Sequence, residues 1–170
     1  MAKRRRRGKE NQALLIGALV IGTLFLTTRR AAAAAPATGA TRDLGVEISK
    51  AFNEASYEWG IPVGVLRTMA DIESAFRPDI IAGQTKGAAG EIGIMQITPK
   101  WHPNVNPYDP IESIWYAAGW LRELYDRFGS WRLAVAAYNW GPTNLAQYGI
   151  NAAPQVTKDY VARVVASTGI

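Results

Sequence analysis

The sequence predicts a mostly α-helical domain preceded by a single N-terminal membrane-spanning segment, and three observations predict it. Apolar residues recur at spacings of three and four through most of residues 43–170, the period of one face of a helix. Strand-like alternation of apolar and polar residues is nearly absent from the same stretch. Near the N-terminus, an uncharged apolar run is bracketed by clusters of Lys and Arg, the pattern of a segment that enters a bilayer.

Residues 1–10 carry Lys3, Arg4, Arg5, Arg6, Arg7 and Lys9 and read as a basic cytoplasmic tail. The run from Asn11 to Thr28, apolar from Ala13 to Leu26, is the predicted transmembrane or signal-anchor segment. It is slightly shorter than the roughly 20 residues that span a bilayer and long for a secretory leader, so a retained anchor and a cleaved leader both fit. A retained anchor is preferred. Six basic residues before the run, against Arg29 and Arg30 just after it, place the N-terminus in the cytoplasm and the rest on the periplasmic or external side. Residues 29–42, rich in alanine, form a tether.

The formal charge of +5 raises the question of nucleic-acid binding. Residues 1–42 hold nine Lys/Arg and one acid, net +8, whereas residues 43–170 hold ten and thirteen, net −3. A basic face able to follow a phosphate backbone is therefore not expected in the helical domain. The chain has no cysteine, and His102 is its only histidine. Thiolate zinc, disulfides and a histidine-rich metal site are thereby excluded, and no metal or other cofactor is expected.

Within residues 43–170, Leu44, Ile48, Phe52, Ala55 and Trp59 form the first helical stripe, which Gly60 ends. Pro62 stands where a second helix would begin, and Val65, Leu66, Met69, Ala70 and Ile72 carry it to Glu73 and Ser74. Pro78, Gly83, Gly87 and Gly90 make residues 77–92 a loop with room for a short irregular hairpin at most. A third helix runs from Ile111 to Phe128 and stops at Gly129. The fourth, Trp131 to Tyr138, is broken by Gly141 and Pro142; the last spans Val156 to Ala166 and sets Tyr160 and Val164 on one side.

Glu73 is the informative residue, because Leu66, Met69, Ala70 and Glu73 lie at i, i+3, i+4 and i+7 on one stripe. A carboxyl in apolar surroundings is harder to ionise, as a general acid near neutral pH requires. The stripe alone fits equally a buried carboxylate paired with Arg67 or Arg77.

The neighbouring motifs add to this. Glu73-Ser74-Ala75-Phe76-Arg77-Pro78, Gly93-Ile94-Met95-Gln96-Ile97, Ala137-Tyr138-Asn139-Trp140-Gly141-Pro142 and Tyr160-Val161 occur in that order. This set resembles the ordered motifs of the soluble lytic transglycosylase family. The resemblance implies a lysozyme-like fold over residues 43–170, with a cleft for the alternating N-acetylglucosamine and N-acetylmuramic acid strand of peptidoglycan. It implies that Glu73 is the catalytic acid, protonating the glycosidic oxygen and then, as a carboxylate, taking the proton of the muramyl 6-hydroxyl. The product would carry a 1,6-anhydro end, with no water consumed. Ser74, Met95, Gln96, Tyr138, Asn139 and Tyr160 match the motif positions that surround the substrate, with the Tyr138 hydroxyl expected to approach Glu73. Met95 also suits a core position, Ser74 a local structural role, and Tyr160 a half-buried place on the last helix.

Two departures stand out. Where many relatives have a serine upstream of the Gly-Ile-Met-Gln motif, this chain has Ala88, followed by Gly90 and Glu91. Glu91 supplies a second carboxylate, and Met95 to His102 is also similar to goose-type lysozymes, which share the fold but hydrolyse with water. Asp71, two residues from Glu73 on the same helix, points to another side. A membrane-anchored enzyme of this kind would open the wall locally, within a bacterial envelope machine or a phage virion with its assembly partners. A non-catalytic glycan-binding module is the remaining alternative.

Overall fold

The computed structural model describes residues 43–170. The predicted basic tail, membrane segment and tether lie outside the described residues. Among the described residues no helix is long and apolar enough to cross a membrane.

Seven α-helices account for most of these residues: α1 (Leu44–Glu58), α2 (Val65–Ser74), α3 (Pro78–Ile81), α4 (Pro110–Phe128), α5 (Trp131–Trp140), α6 (Pro142–Tyr148) and α7 (Gln155–Thr168). The Asp43 carboxylate starts α1 by accepting from the Gly45 amide, which satisfies one of the orphan donors of the first turn. Its far end closes with Gly60 at φ 61°. There the Gly60 and Ile61 amides donate back to Tyr57 and Ser56, a reversal that a side chain at residue 60 would strain. Ile48, Ala51, Phe52 and Ala55 are buried as the stripe requires, but Leu44 is 54% exposed, because the helix begins there and overhangs the core.

Asp109 caps α4 through the Ile111 and Glu112 amides, and Gly129 ends it in the left-handed conformation. The Ala134–Ala137 run of α5 is entirely buried. Small side chains let three neighbours, α4, α6 and α7, approach this helix. Helix α1 packs on α4, and α2 on α7, so a single apolar cluster joins Phe52, Leu66, Met69, Ile94, Leu121, Val135 and Val164.

The structure differs from the sequence expectation at three places. Helix α2 begins at Val65, after a left-handed Gly64, rather than at Pro62. The loop beginning at residue 77 opens with the four-residue helix α3, in which Pro78 occupies the first turn and Asp79 pairs with Arg77 at 2.7 Å. Pro142, expected only to break a helix, also begins α6. At both sites proline acts as a first-turn residue, whose missing amide hydrogen is not needed there.

Candidate active site

Leu66, Met69 and Ala70 on α2 are fully buried, and the stripe continues one turn later with Glu73, which is half-buried. The helix ends immediately beyond it. Ala75 and Phe76 both adopt the left-handed conformation, at φ 48° and 51°, which carries a steric cost for residues with a Cβ. Ser74 stabilises this kink: its hydroxyl donates to the Ala70 carbonyl at 2.8 Å and accepts from the Phe76 amide at 3.3 Å. Phe76 is thereby turned edge-on to Phe52, with the Arg67 guanidinium over its ring.

The Tyr160 hydroxyl, from α7, donates to Glu73 Oε1 at 2.8 Å. Among the described residues no Lys or Arg forms an ion pair with Glu73; Arg77 is engaged by Asp79. Burial pushes the Glu73 pKa from 4.5 up to about 7, against the lowering effect of the Tyr160 hydrogen bond and with a further rise from the charge of Glu91. A carboxyl with that acidity populates both protonation states near neutrality. Because Tyr160 occupies Oε1, the proton is left to the other oxygen.

A short turn is linked to the acid's surroundings through Tyr138, which bonds the turn and feels the charge of Glu73. Ile92 and Ile97 exchange backbone hydrogen bonds at 3.0 and 2.9 Å, and the four residues between them include Met95 and Gln96. Gly93 sits at φ 77°, and a Cβ there would collide with the Pro107 carbonyl oxygen. Only glycine fits so close an approach. Gln96 is also left-handed, at φ 46°, and its carboxamide nitrogen donates to the Gly93 carbonyl at 3.0 Å. Its side-chain oxygen remains as an acceptor.

The Tyr138 hydroxyl, expected to contact Glu73, feels its charge but forms its hydrogen bond elsewhere. That hydroxyl donates to the Met95 carbonyl at 3.0 Å and ties α5 to the turn. Tyr160 makes the contact with the acid instead, since α7 lies directly against α2. Burial, then the charge of Glu73, holds both phenols well above their usual acidity range. Of the six residues expected around the substrate, Ser74, Met95 and Tyr160 are buried. Their side chains brace the site rather than face outward, Met95 as part of the apolar core. Gln96 is half-buried and Asn139 exposed. The Asn139 oxygen accepts from Thr157 at 2.8 Å, which leaves its amide hydrogens for a ligand.

Glu91 bends back on its own loop, accepting from the Ala89 amide at 2.9 Å. Among the described residues, no group of three His, Asp or Glu side chains could hold a metal ion. Two concavities are formed, one between α1 and α2 lined by Phe52, Tyr57, Ile61 and Arg67, and one beside Asp71 and Phe76. Neither includes Glu73. The candidate site is therefore located by the chemistry of the acid rather than by depth.

Comparison with known proteins gives the class. Residues 50–161 match the family model of the transglycosylase SLT domain, and the chain belongs to that family. A relative is the protein named Transglycosylase of Enterobacteria phage PRD1, 31% identical over 114 residues, which are 65% of this chain and 39% of the relative. The chain therefore spans about two-fifths of the length of that relative. No solved structure matches it.

Proposed function

We propose that the chain is a peptidoglycan lytic transglycosylase that cuts the β-1,4 bond between N-acetylmuramic acid and N-acetylglucosamine and leaves 1,6-anhydro ends. The observation that carries this reading is Glu73, partly buried, held by Tyr160 and without a cationic partner among the described residues. Protonated, its free oxygen donates to the glycosidic oxygen as the bond to the muramyl C1 breaks. The resulting carboxylate accepts the proton of the muramyl 6-hydroxyl, whose oxygen closes on C1, and Glu73 is protonated again. One group thus serves as acid and as base, and no water is consumed. The Gln96 oxygen and the Asn139 amide offer an acceptor and a donor for the sugar's acetamido and hydroxyl groups.

A hydrolytic reading rests on Glu91, the second carboxylate within electrostatic reach of Glu73. Its engagement with the Ala89 amide favours a role in shaping its loop over activating water. Mass analysis of fragments released from purified sacculi, in water enriched in heavy oxygen, separates the two. Unlabelled anhydro ends are expected; labelled reducing ends overturn the transglycosylase reading and leave Glu73 as the acid of a muramidase.

In this proposal residues 11–28 anchor the enzyme in the membrane, with residues 29–42 as tether, residues 43–170 as the catalytic domain and the N-terminus in the cytoplasm. The wall is opened locally, by an envelope machine or during phage entry, the latter supported by the phage origin of the relative. Accessibility of a cysteine introduced at Ala2, compared with one at Ala40, tests the orientation.

A further inference from the structure

Helix α7 carries a second polar side chain one turn before Tyr160. Thr157 is 1% exposed, and its hydroxyl donates to the carboxamide oxygen of Asn139, on α5, at 2.8 Å. Thr157 and Tyr160 are three residues apart on one helix and share a face. One turn of α7 therefore makes both the bond to Glu73 Oε1 and the bond to Asn139. Asn139 follows Tyr138, which feels the charge of Glu73 and acts in turn on Tyr160.

The Thr157 bond differs from those of other helical hydroxyls. Ser74 and Thr168 donate within their own helices, to the Ala70 and Val164 carbonyls four residues back, a common way for a helix to take up a hydroxyl. Thr157 instead reaches a side chain 18 positions away, and that side chain is exposed. Among the described residues Asn139 is the hydroxyl's one partner. The direction of the bond has a chemical consequence. A carboxamide can turn either end outward, because its terminal torsion is soft. With the oxygen on Thr157, the amide hydrogens face away. Turned the other way, the carboxamide would leave the buried Thr157 hydrogen without an acceptor, which is disfavoured. A β-branched residue suits the task, since its χ1 is stiff.

We propose that Thr157 is a positioning residue of the proposed reaction, holding the Asn139 carboxamide so that its amide hydrogens are presented to the glycan as a fixed donor. Thr157 itself is too deeply buried to meet the sugar and acts through Asn139. Ordering the carboxamide beforehand removes an entropic cost that binding would otherwise carry. It also commits that position to an acceptor on the glycan, a hydroxyl or acetamido oxygen. The same face of α7 thus orients the acid through Tyr160 and the donor through Thr157.

This role rests on the proposed reaction, and the test lets the two fail separately. Full-length chains carrying Thr157→Val, which keeps the shape and loses the hydroxyl, Thr157→Ser, which keeps the hydroxyl, and Asn139→Ala, alone and with Thr157→Val, are compared for kcat/KM on purified sacculi across pH. Melting temperatures identify the folded variants. Expected are losses of about tenfold for Asn139→Ala and about fivefold for Thr157→Val, with Thr157→Ser within about twofold of the parent. Adding Thr157→Val to Asn139→Ala should cost nothing further, because the hydroxyl then has no carboxamide to hold. The high-pH limb of the profile should stay in place, since the Tyr160 bond to Glu73 is untouched; a role confined to docking α7 would move it. Should Thr157→Val fail to fold, Asn139→Gln at the exposed position decides. It keeps an amide but carries it one methylene beyond the place where Thr157 holds it, and should match Asn139→Ala. Thr157→Val at the parent's rate, a shifted limb, a full second loss in the double variant, or Asn139→Gln at the parent's rate overturns the positioning role. In the chain carrying Glu73→Gln, the same changes are read calorimetrically as affinity for the β-1,4-linked hexamer of N-acetylglucosamine. A parent that cleaves no sacculi overturns the proposed function. The positioning role then stands if Thr157→Val weakens hexamer binding and Thr157→Ser restores it, and falls if it does not.

Discussion

The helices and the stretch from residue 75 to 109 solve different problems with different backbone. Helices α1, α2, α4, α5 and α7 supply the acid, its tyrosine partner and most of the core, with regular geometry. The irregular stretch holds three left-handed residues that are not glycine, Ala75, Phe76 and Gln96, and in it Gly93 meets Pro107 at backbone contact. Left-handed residues with a Cβ each cost about 1–2 kcal/mol and persist where surrounding structure over-determines them. In this domain the helices give stability, and the strain sits beside the acid.

The sharpest break of that division is Glu73→Gln, a helical change aimed at chemistry alone. Turnover on sacculi should fall at least about a thousandfold, since acid and base assistance are both lost, while binding of the glycan hexamer persists. Stability should move the other way above pH 7. The folded pKa of about 7 lies above the ordinary 4.5, so the folded chain holds its proton longer than the unfolded one, and stability falls as pH rises between those values. The variant should therefore melt higher than the parent at pH 8 and alike at pH 4. Activity within tenfold of the parent removes Glu73 from its role.

A pair of identical changes tests the two regions directly. Gly93→Ala puts a methyl against the Pro107 carbonyl at φ 77° and should destabilise the domain by about 2–4 kcal/mol. Gly119→Ala, in α4, brings its methyl to 3.3 Å from Trp59 and gains helix propensity. It should stay within about 1 kcal/mol of the parent. Equal losses in denaturant titrations would erase the distinction between the regions.

Tyr160→Phe removes only the hydroxyl on Glu73, and kcat should fall by about 1–2 kcal/mol of barrier. Because that bond lowers the pKa of the acid, the high-pH limb of the rate profile should shift upward. An unshifted limb would show that the contact is not made in solution. The smallest effect is expected from Ala75→Gly, which relieves a left-handed cap and should raise stability by roughly 0.5–1 kcal/mol in thermal melts.

The same division governs what was legible in the sequence. Periodicity finds α1, α2, α4, α5 and α7 to within a few residues, and the Leu66–Glu73 stripe finds the acid, because a regular helix repeats its environment every 3.6 residues. Helices α3 and α6 are too short to show a period, and their prolines read as breaks. Nothing in the residue types of Ala75, Phe76 or Gln96 announces a positive φ, which tertiary contacts impose. The identity of the tyrosine on Glu73 depends on a pairing across 87 positions, which a motif match points to at Tyr138 and the packing of α7 gives to Tyr160.

The bond between Tyr160 and Glu73 also sets an order in time. A chain is made from its N-terminus, so a nascent polypeptide that has reached residue 150 contains Glu73 and the Gly93–Ile97 turn but not α7. The side of α2 that α7 covers is then open to water, and the burial that raises the Glu73 pKa from 4.5 is incomplete. The acid therefore reaches its folded ionisation only after residues 155–168 are made and docked.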